Sequence, residues 1–325
     1  MLKIKTGMKI SLILILLIAI PLAGCGGKTN QQASDESEDN ATIHIYASFF
    51  PLYDFAKKIG GDQVEVHNMI PPGVDSHDFE PTPQDMVKLT EADLFVYNGT
   101  GFETWAEKAV QTLDEEKTRI VNTTEHLDLM SDETDQTEHM GKHVDHGHGE
   151  LDPHVWLDPN LAKQQAKAIK DALIDMDADH AETFAANFKR LSEQFDMLDQ
   201  KLRSVVAHAE RKEIVVSHAA FGYLTTAYGL EQVAVSGLSP SDEPSQKDLQ
   251  HIIDFARERD IQVIFFETMV SSKVAETVRR ELGAEALTLN PMEIVKKEEL
   301  ERGEDYFSIM EQNIDNLEKA LGSNR

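Results

Sequence analysis

Residues 181–205 read AETFAANFKRLSEQFDMLDQKLRSV, and this stretch decides how the chain is organised. Phe184, Leu191, Leu198 and Val205 recur at every seventh position. Phe188, Phe195 and Leu202 fall four residues after the first three of these, and Ala181 extends the series backwards by three. Such a 3-4-3-4 alternation is one apolar stripe on one α-helix. At 1.5 Å per residue the stretch covers about 38 Å, most of the length of a two-domain body. A coiled-coil dimer would use the same spacing. Phenylalanines in the stripe suit packing on a globular body better than a narrow two-helix seam.

On either side of this helix the chain alternates short apolar runs with longer amphipathic ones. Strands are predicted over 42–49, 63–69, 94–97 and 119–121 before it, and over 213–217, 232–236, 263–267 and 286–289 after it. Helical stretches fall between them, for example 84–91 and 245–258, the latter opened by Ser245 with Asp248 three residues on. Strands separated by helices imply βαβ crossovers and parallel sheets. The expected fold is therefore α/β: two lobes, each a parallel four-stranded sheet flanked by helices, joined by one long interdomain helix. The boundaries read as 41–178 for the first lobe, 179–211 for the helix and 212–325 for the second lobe.

The start of the chain is a different kind of sequence. Lys3, Lys5 and Lys9 precede an apolar run over 10–22 that is too short for a comfortable membrane span of ~20 residues. It ends in Leu22-Ala23-Gly24-Cys25, which resembles the bacterial lipoprotein signal, with residues 1–24 removed and Cys25 lipidated. A buried structural cysteine is the competing role. Residues 25–40 are polar and acidic and read as a flexible tether.

Composition narrows the function. The 325 residues carry 31 basic and 58 acidic side chains, a formal net charge of -27. That excess argues against nucleic acid as a partner, because phosphate needs a basic surface. A single cysteine excludes a disulfide framework, a Cys-rich zinc module and an iron–sulfur cluster. Residues 125–150 read EHLDLMSDETDQTEHMGKHVDHGHGE, with His139, His143, His146 and His148 close together. A mobile His- and acid-rich loop of this kind suggests weak, transient capture of zinc or a similar ion. A solvated insertion without a role is the alternative.

Chemistry-bearing residues stand singly in four separated motifs. His77 lies in a proline-punctuated loop, MIPPGVDSHDFEPTP over 69–83. His154 lies in DPHVWLDP over 152–159. His218 follows the strand at 213–217 and precedes AAFGY, and Glu293 follows the last strand in LNPME over 289–293. Ligands of open parallel sheets bind outside the carboxyl ends of the strands. Three of the four residues are predicted there, two per lobe, so convergence between the lobes is expected. Three imidazoles and a carboxylate make a four-coordinate shell of the type zinc favours, whereas calcium or magnesium sites use clustered oxygens. Glu267, at the end of the strand over 263–267, could instead supply the carboxylate, orient a neighbour, or act as general base in a secreted zinc hydrolase. Water could also take the fourth position.

Taken together, the lipoprotein signal, PPGVDSHDFEPTP, DPHVWLDP, VVSHAAFGYL and the acidic end motif resemble the metal-receptor proteins of bacterial ABC importers. The similarity is to the zinc-uptake branch of the cluster A-I solute-binding family, over essentially all of the chain after the tether. The resemblance implies two α/β lobes on one long helix with the metal between them, and no enzymatic activity. It implies delivery to a membrane permease driven by a cytoplasmic ATPase, from a monomer tethered by lipid (palmitate among its acyl chains) outside the cell membrane. It places His77, His154 and His218 at three ligand positions and Glu293 at the family's variable fourth. One tight Zn2+ with further weak equivalents on the His-rich loop follows. A manganese receptor is the alternative within the family, although imidazole-rich shells suit zinc and manganese prefers more oxygens. A surface adhesin is the alternative outside it.

Overall fold

The computed structural model describes residues 42–131, 151–241, 244–267 and 273–323, all within one unit of the chain, Ala41–Arg325. Cys25, the tether and the loop histidines His139, His143, His146 and His148 lie outside the described residues. The first half runs β1 (Ile43–Ala47), α1 (Phe50–Gly60), β2 (Val64–Asn68), α2 (Pro83–Leu89), β3 (Leu94–Tyr97), α3 (Thr104–Val110) and β4 (Arg119–Asn122). α4 (Pro159–Met176) and α5 (Ala181–Ala207) follow. The second half runs β5 (Glu213–Val216), α6 (Gly222–Tyr228), β6 (Glu231–Ala234), α7 (Gln246–Glu258) and β7 (Val263–Phe266). It closes with α8 (Lys273–Leu282), β8 (Glu285–Thr288), α9 (Lys297–Glu301) and α10 (Tyr306–Ala320).

All eight expected strands form, in two four-stranded sheets ordered β2-β1-β3-β4 and β6-β5-β7-β8, with parallel pairing throughout. The ends shift by a residue or two. β1 stops at Ala47, although the apolar run continues to Phe49, because its ladder with β2 ends there and Pro51 opens α1. Capping boxes start α2 (Thr82 with Asp85) and α7 (Ser245 with Asp248), the latter where the sequence places a helix start.

α5 carries the expected stripe, with Phe184, Leu191, Phe195, Leu198, Leu202 and Val205 all buried. Its partners are helices of its own chain. Phe195 meets Phe55 of α1 edge-on at 5.3 Å, and it meets Tyr306 and Phe307 of α10 at 5.6 and 5.0 Å. With those residues covered, the stripe offers no seam for a second copy, which removes the coiled-coil alternative. The same core holds Ile45 and Leu94 of the first sheet and Ile214 and Val216 of the second. One continuous apolar interior thus runs under both halves.

In each sheet the chain first steps from the inner strand (β1 or β5) to the edge (β2 or β6), then crosses to its other side (β3 or β7). The crevice forms where those crossovers diverge, outside the carboxyl ends of these inner strands. The chain leaves the four ends at Ser48, Asn98, Ser217 and Glu267.

Candidate metal centre

Four loops deliver the site. His218 lies just past β5, in a tight turn where Ala219 donates to the carbonyl of Gly237 at 2.8 Å. Glu267 lies just past the neighbouring strand β7. That adjacency lets its carboxylate meet His218 Nδ1 at 2.6 Å and accept from the Ser217 hydroxyl at 2.7 Å. His154 is held by Asp152 two residues before it. The same Asp152 oxygen accepts the His154 amide at 2.9 Å and meets Nδ1 at 2.7 Å. A carboxylate on Nδ1 fixes the ring so that Nε2 is the free donor.

His77 and Glu293 come from loops that are tied together. The Ser76 hydroxyl donates to the Glu293 carbonyl at 2.5 Å, and the Gly73 amide to the Val295 carbonyl at 2.9 Å. Glu293 follows Met292, a non-glycine residue at φ 64°, in the left-handed region that side chains rarely adopt. Asn290 stabilises the turn by accepting the Met292 amide at 2.8 Å, and Asn313 of α10 brackets Asn290 from both sides. The Trp156 indole donates to the Pro291 carbonyl at 2.7 Å, and Tyr306 donates to the Trp156 carbonyl at 2.6 Å. Tyr223 donates to the Asp152 carbonyl at 3.0 Å. The DPHVWLDP turn is therefore clamped to the second half along its length.

All four candidates meet. Glu293 Oε1 stands 2.9 Å from His154 Nε2 and 3.4 Å from His218 Nε2, and Oε2 stands 3.5 Å from His77 Nε2. All four residues are wholly or largely buried. Their facing atoms, the three Nε2 and Glu293 Oε1, make no directed hydrogen bond. Buried polar atoms are normally satisfied, so four orphans facing one point call for a shared partner. Tetrahedral zinc with bonds of about 2.0–2.2 Å sets its donors ~3.4 Å apart, close to the separations found. Glu267 and Asp152 both act on Nδ1 atoms, on the far side of the imidazoles from that point.

Electrostatics point the same way. Burial alone would push His218 down, but the Glu293 charge and the Glu267 hydrogen bond outweigh it and raise His218 to about 10. His154 is likewise raised: burial lowers it, and Asp152 and Glu293 more than compensate. Burial would raise Glu293, yet the surrounding imidazoles hold it well below the usual carboxylate range. The centre is built around a fixed negative charge that a cation must balance, whether proton or metal.

Sequence reasoning placed Glu267 beside the centre but overlooked Asp152, Trp156 and Tyr223. Asp152 had a usable signal: an aspartate two residues before a turn histidine can accept from its backbone. A further overlooked group is Glu103, buried at the start of α3, which accepts from the Ser48 hydroxyl and from the Asn98 amide at 2.9 Å. Asn98 in turn donates to the Pro153 carbonyl at 2.9 Å, so this network braces the turn that carries His154.

Comparison with known proteins gives a consistent result. Residues 45–320 match the family described as zinc-uptake complex component A, periplasmic. The high-affinity zinc uptake system protein of Bacillus subtilis is 38% identical over 300 residues, covering 92% of this chain and 93% of that protein. The zinc-bound domain of AdcA from Streptococcus pneumoniae aligns at TM-score 0.72 and 35% identity, over 86% of this chain and 99% of that one. The chain spans 61% of the length of the whole AdcA lipoprotein, to which it is 36% identical over 317 residues. The laminin-binding protein of Streptococcus agalactiae, described as an adhesin with metal transporting activity, aligns at TM-score 0.72 and 29% identity over 86% of this chain and 99% of that one.

Proposed function

The chain belongs to the zinc-uptake complex component A family, and on that premise we propose that it captures Zn2+ outside the cytoplasm and delivers it to an ABC-type importer. Zinc is the cargo, held by His77, His154, His218 and Glu293. The observation that carries this reading is the convergence of three unpartnered Nε2 atoms on one buried carboxylate. The chain is a receptor rather than an enzyme. With Glu293 as fourth donor, a tetrahedral shell keeps no position for reactive water.

The finer parts of the reading follow the sequence. A lipid on Cys25, palmitate among its chains, would tether the receptor to the outer face of the membrane. Among the described residues no helix is long and apolar enough to cross a membrane. The lobes at 41–178 and 212–325 would work as a monomer on the helix of 179–211, handing zinc to a permease and its ATPase. α5 is clamped by α1, α4 and α10, which favours small lobe movements over a wide hinge. Adhesion is a second activity suggested by the similarity to the laminin-binding protein.

Native purification with elemental analysis, followed by competitive titration of zinc against manganese, tests the assignment. One tight zinc equivalent that manganese cannot displace at equal concentration is expected. Preferential retention of manganese would overturn it.

A further inference from the structure

Outside the cleft, one other group of side chains among the described residues has the donor types and spacing for a metal: His44, Glu65 and His67. Strand pairing assembles it. β1 and β2 run parallel with His44 opposite Glu65 and Tyr46 opposite His67. Side chains two apart on a strand share a face, so these four residues stand together. Ile43, Ile45 and Ala47 point the other way, into the core. His44 and Glu65 are exposed and His67 is half-buried.

We propose that His44, Glu65 and His67 form a second, open site for a zinc-like divalent ion, at the solvent-facing margin of the β1–β2 pair, beside the smaller apolar cluster around Phe95 and Trp105 that covers the rest of that sheet face. It holds the ion more weakly than the cleft and exchanges it with solvent.

The geometry fits. His44 Nδ1 stands 3.5 Å from one Glu65 oxygen and His67 Nε2 stands 3.4 Å from the other, close to the ~3.4 Å between donors on tetrahedral zinc. All three donor atoms lie within 4.8 Å of one another, so closing the shell needs side-chain rotation and no backbone movement. The Tyr46 ring stacks on the His67 imidazole at 4.8 Å and 29°, which orients it. The His44 amide donates to Asp93 at 2.8 Å, bringing another carboxylate to the edge of the cluster. The local field is negative: the Tyr46 hydroxyl is raised above its ordinary value, first by burial and then by Glu91 and Glu65.

The donors stand on hydrogen-bonded strands, so binding orders only side chains. Two imidazoles and one carboxylate select zinc, copper or nickel over calcium and magnesium. Three protein donors leave a coordination position to water, which makes the ion exchangeable. An ordinary surface cluster of ion pairs would show the same distances but no concerted response to metal.

The test uses the full chain loaded with one zinc equivalent, then titrated with more zinc while long-range proton–nitrogen spectra follow each imidazole. His44 and His67 should respond together, at the same zinc concentration, through Nδ1 of His44 and Nε2 of His67. Glu65→Gln should shift that concentration upward about 10-fold or more and leave the tight equivalent unchanged. Independent responses of the two rings, no response, or an unchanged midpoint in Glu65→Gln would each overturn the proposal. Because the three side chains lie at the surface, Glu65→Gln keeps the fold, and an unchanged tight equivalent verifies that.

Discussion

Zinc binding to this centre should expel protons at a pH where ordinary histidines have none to give. Imidazole binds zinc only when neutral, so every protonated ligand must lose its proton first. An unperturbed histidine, titrating near 6.5, is ~0.03 protonated at pH 8, so three of them would release fewer than ~0.1 protons per zinc. In the free receptor His218 is raised to about 10 by the Glu293 charge and the Glu267 hydrogen bond, against the opposing effect of burial. It therefore enters pH 8 almost fully protonated and alone should release about one proton per zinc. His154, also raised, adds to this. Glu293, held low, is already ionised and adds none. The assay is calorimetric titration at pH 8 in buffers of different ionisation enthalpy. About one proton or more is expected, with apparent affinity rising about tenfold per pH unit per proton between pH 7 and 9. In Glu293→Gln the release at pH 8 should fall sharply, because the charge that raises the imidazoles is gone. Fewer than ~0.3 protons in the unmodified receptor would refute the argument. The same shift has a sign for stability. A raised imidazole stabilises the free receptor fully below pH ~6.5, and that contribution is lost as pH rises through about 10. Alkaline pH should therefore lower the melting temperature of the free receptor, while zinc affinity grows over the same range.

The roles of the two glutamates separate spectroscopically. Glu293→Ala should change the visible spectrum of the cobalt-substituted protein. Glu267→Gln and Asp152→Asn should each weaken zinc about 10–100-fold and leave the spectrum's shape largely alone, because they act through Nδ1 and keep the donor count. Gly222→Ala tests the support of His154 from the other half of the chain. A Cβ there would meet an Asp152 carboxylate oxygen at 2.5 Å, so the variant should fold but bind zinc more weakly, as read by competition with a chromogenic chelator. Deleting residues 140–149 should remove weak zinc equivalents and retain one tight equivalent by equilibrium dialysis; loss of the tight one would make the loop the primary site.

Local order was legible in the sequence because its causes act over a few residues. The heptad spacing from Ala181 to Val205, the short apolar run at 42–49 and the Ser245–Asp248 pair each declare an element through residues close together in the chain. The candidate histidines were legible for a related reason: each sits in a loop beside a strand or between prolines, where side chains serve ligands more often than cores. What the stripe on α5 packs against was open, since the same spacing suits a second copy or the chain's own α1 and α10. Tertiary structure settled that by placing Phe55, Tyr306 and Phe307 on Phe195. The sequence favours Glu293 over Glu267, through its irregular turn past Pro291 and the family's fourth position, but the geometry behind that choice is tertiary. Both follow second-half strands, but adjacency of β5 and β7 sets Glu267 on His218 Nδ1, while the left-handed turn at Met292 sends Glu293 into the space facing the three Nε2 atoms. Contacts such as Ser76 with Glu293, 217 residues apart, and Trp156 with Pro291, 135 apart, hold that arrangement. No periodicity encodes such pairs: they exist only once the crossovers bring four loops to one crevice, where burial makes each unpaired donor costly unless a cation is shared.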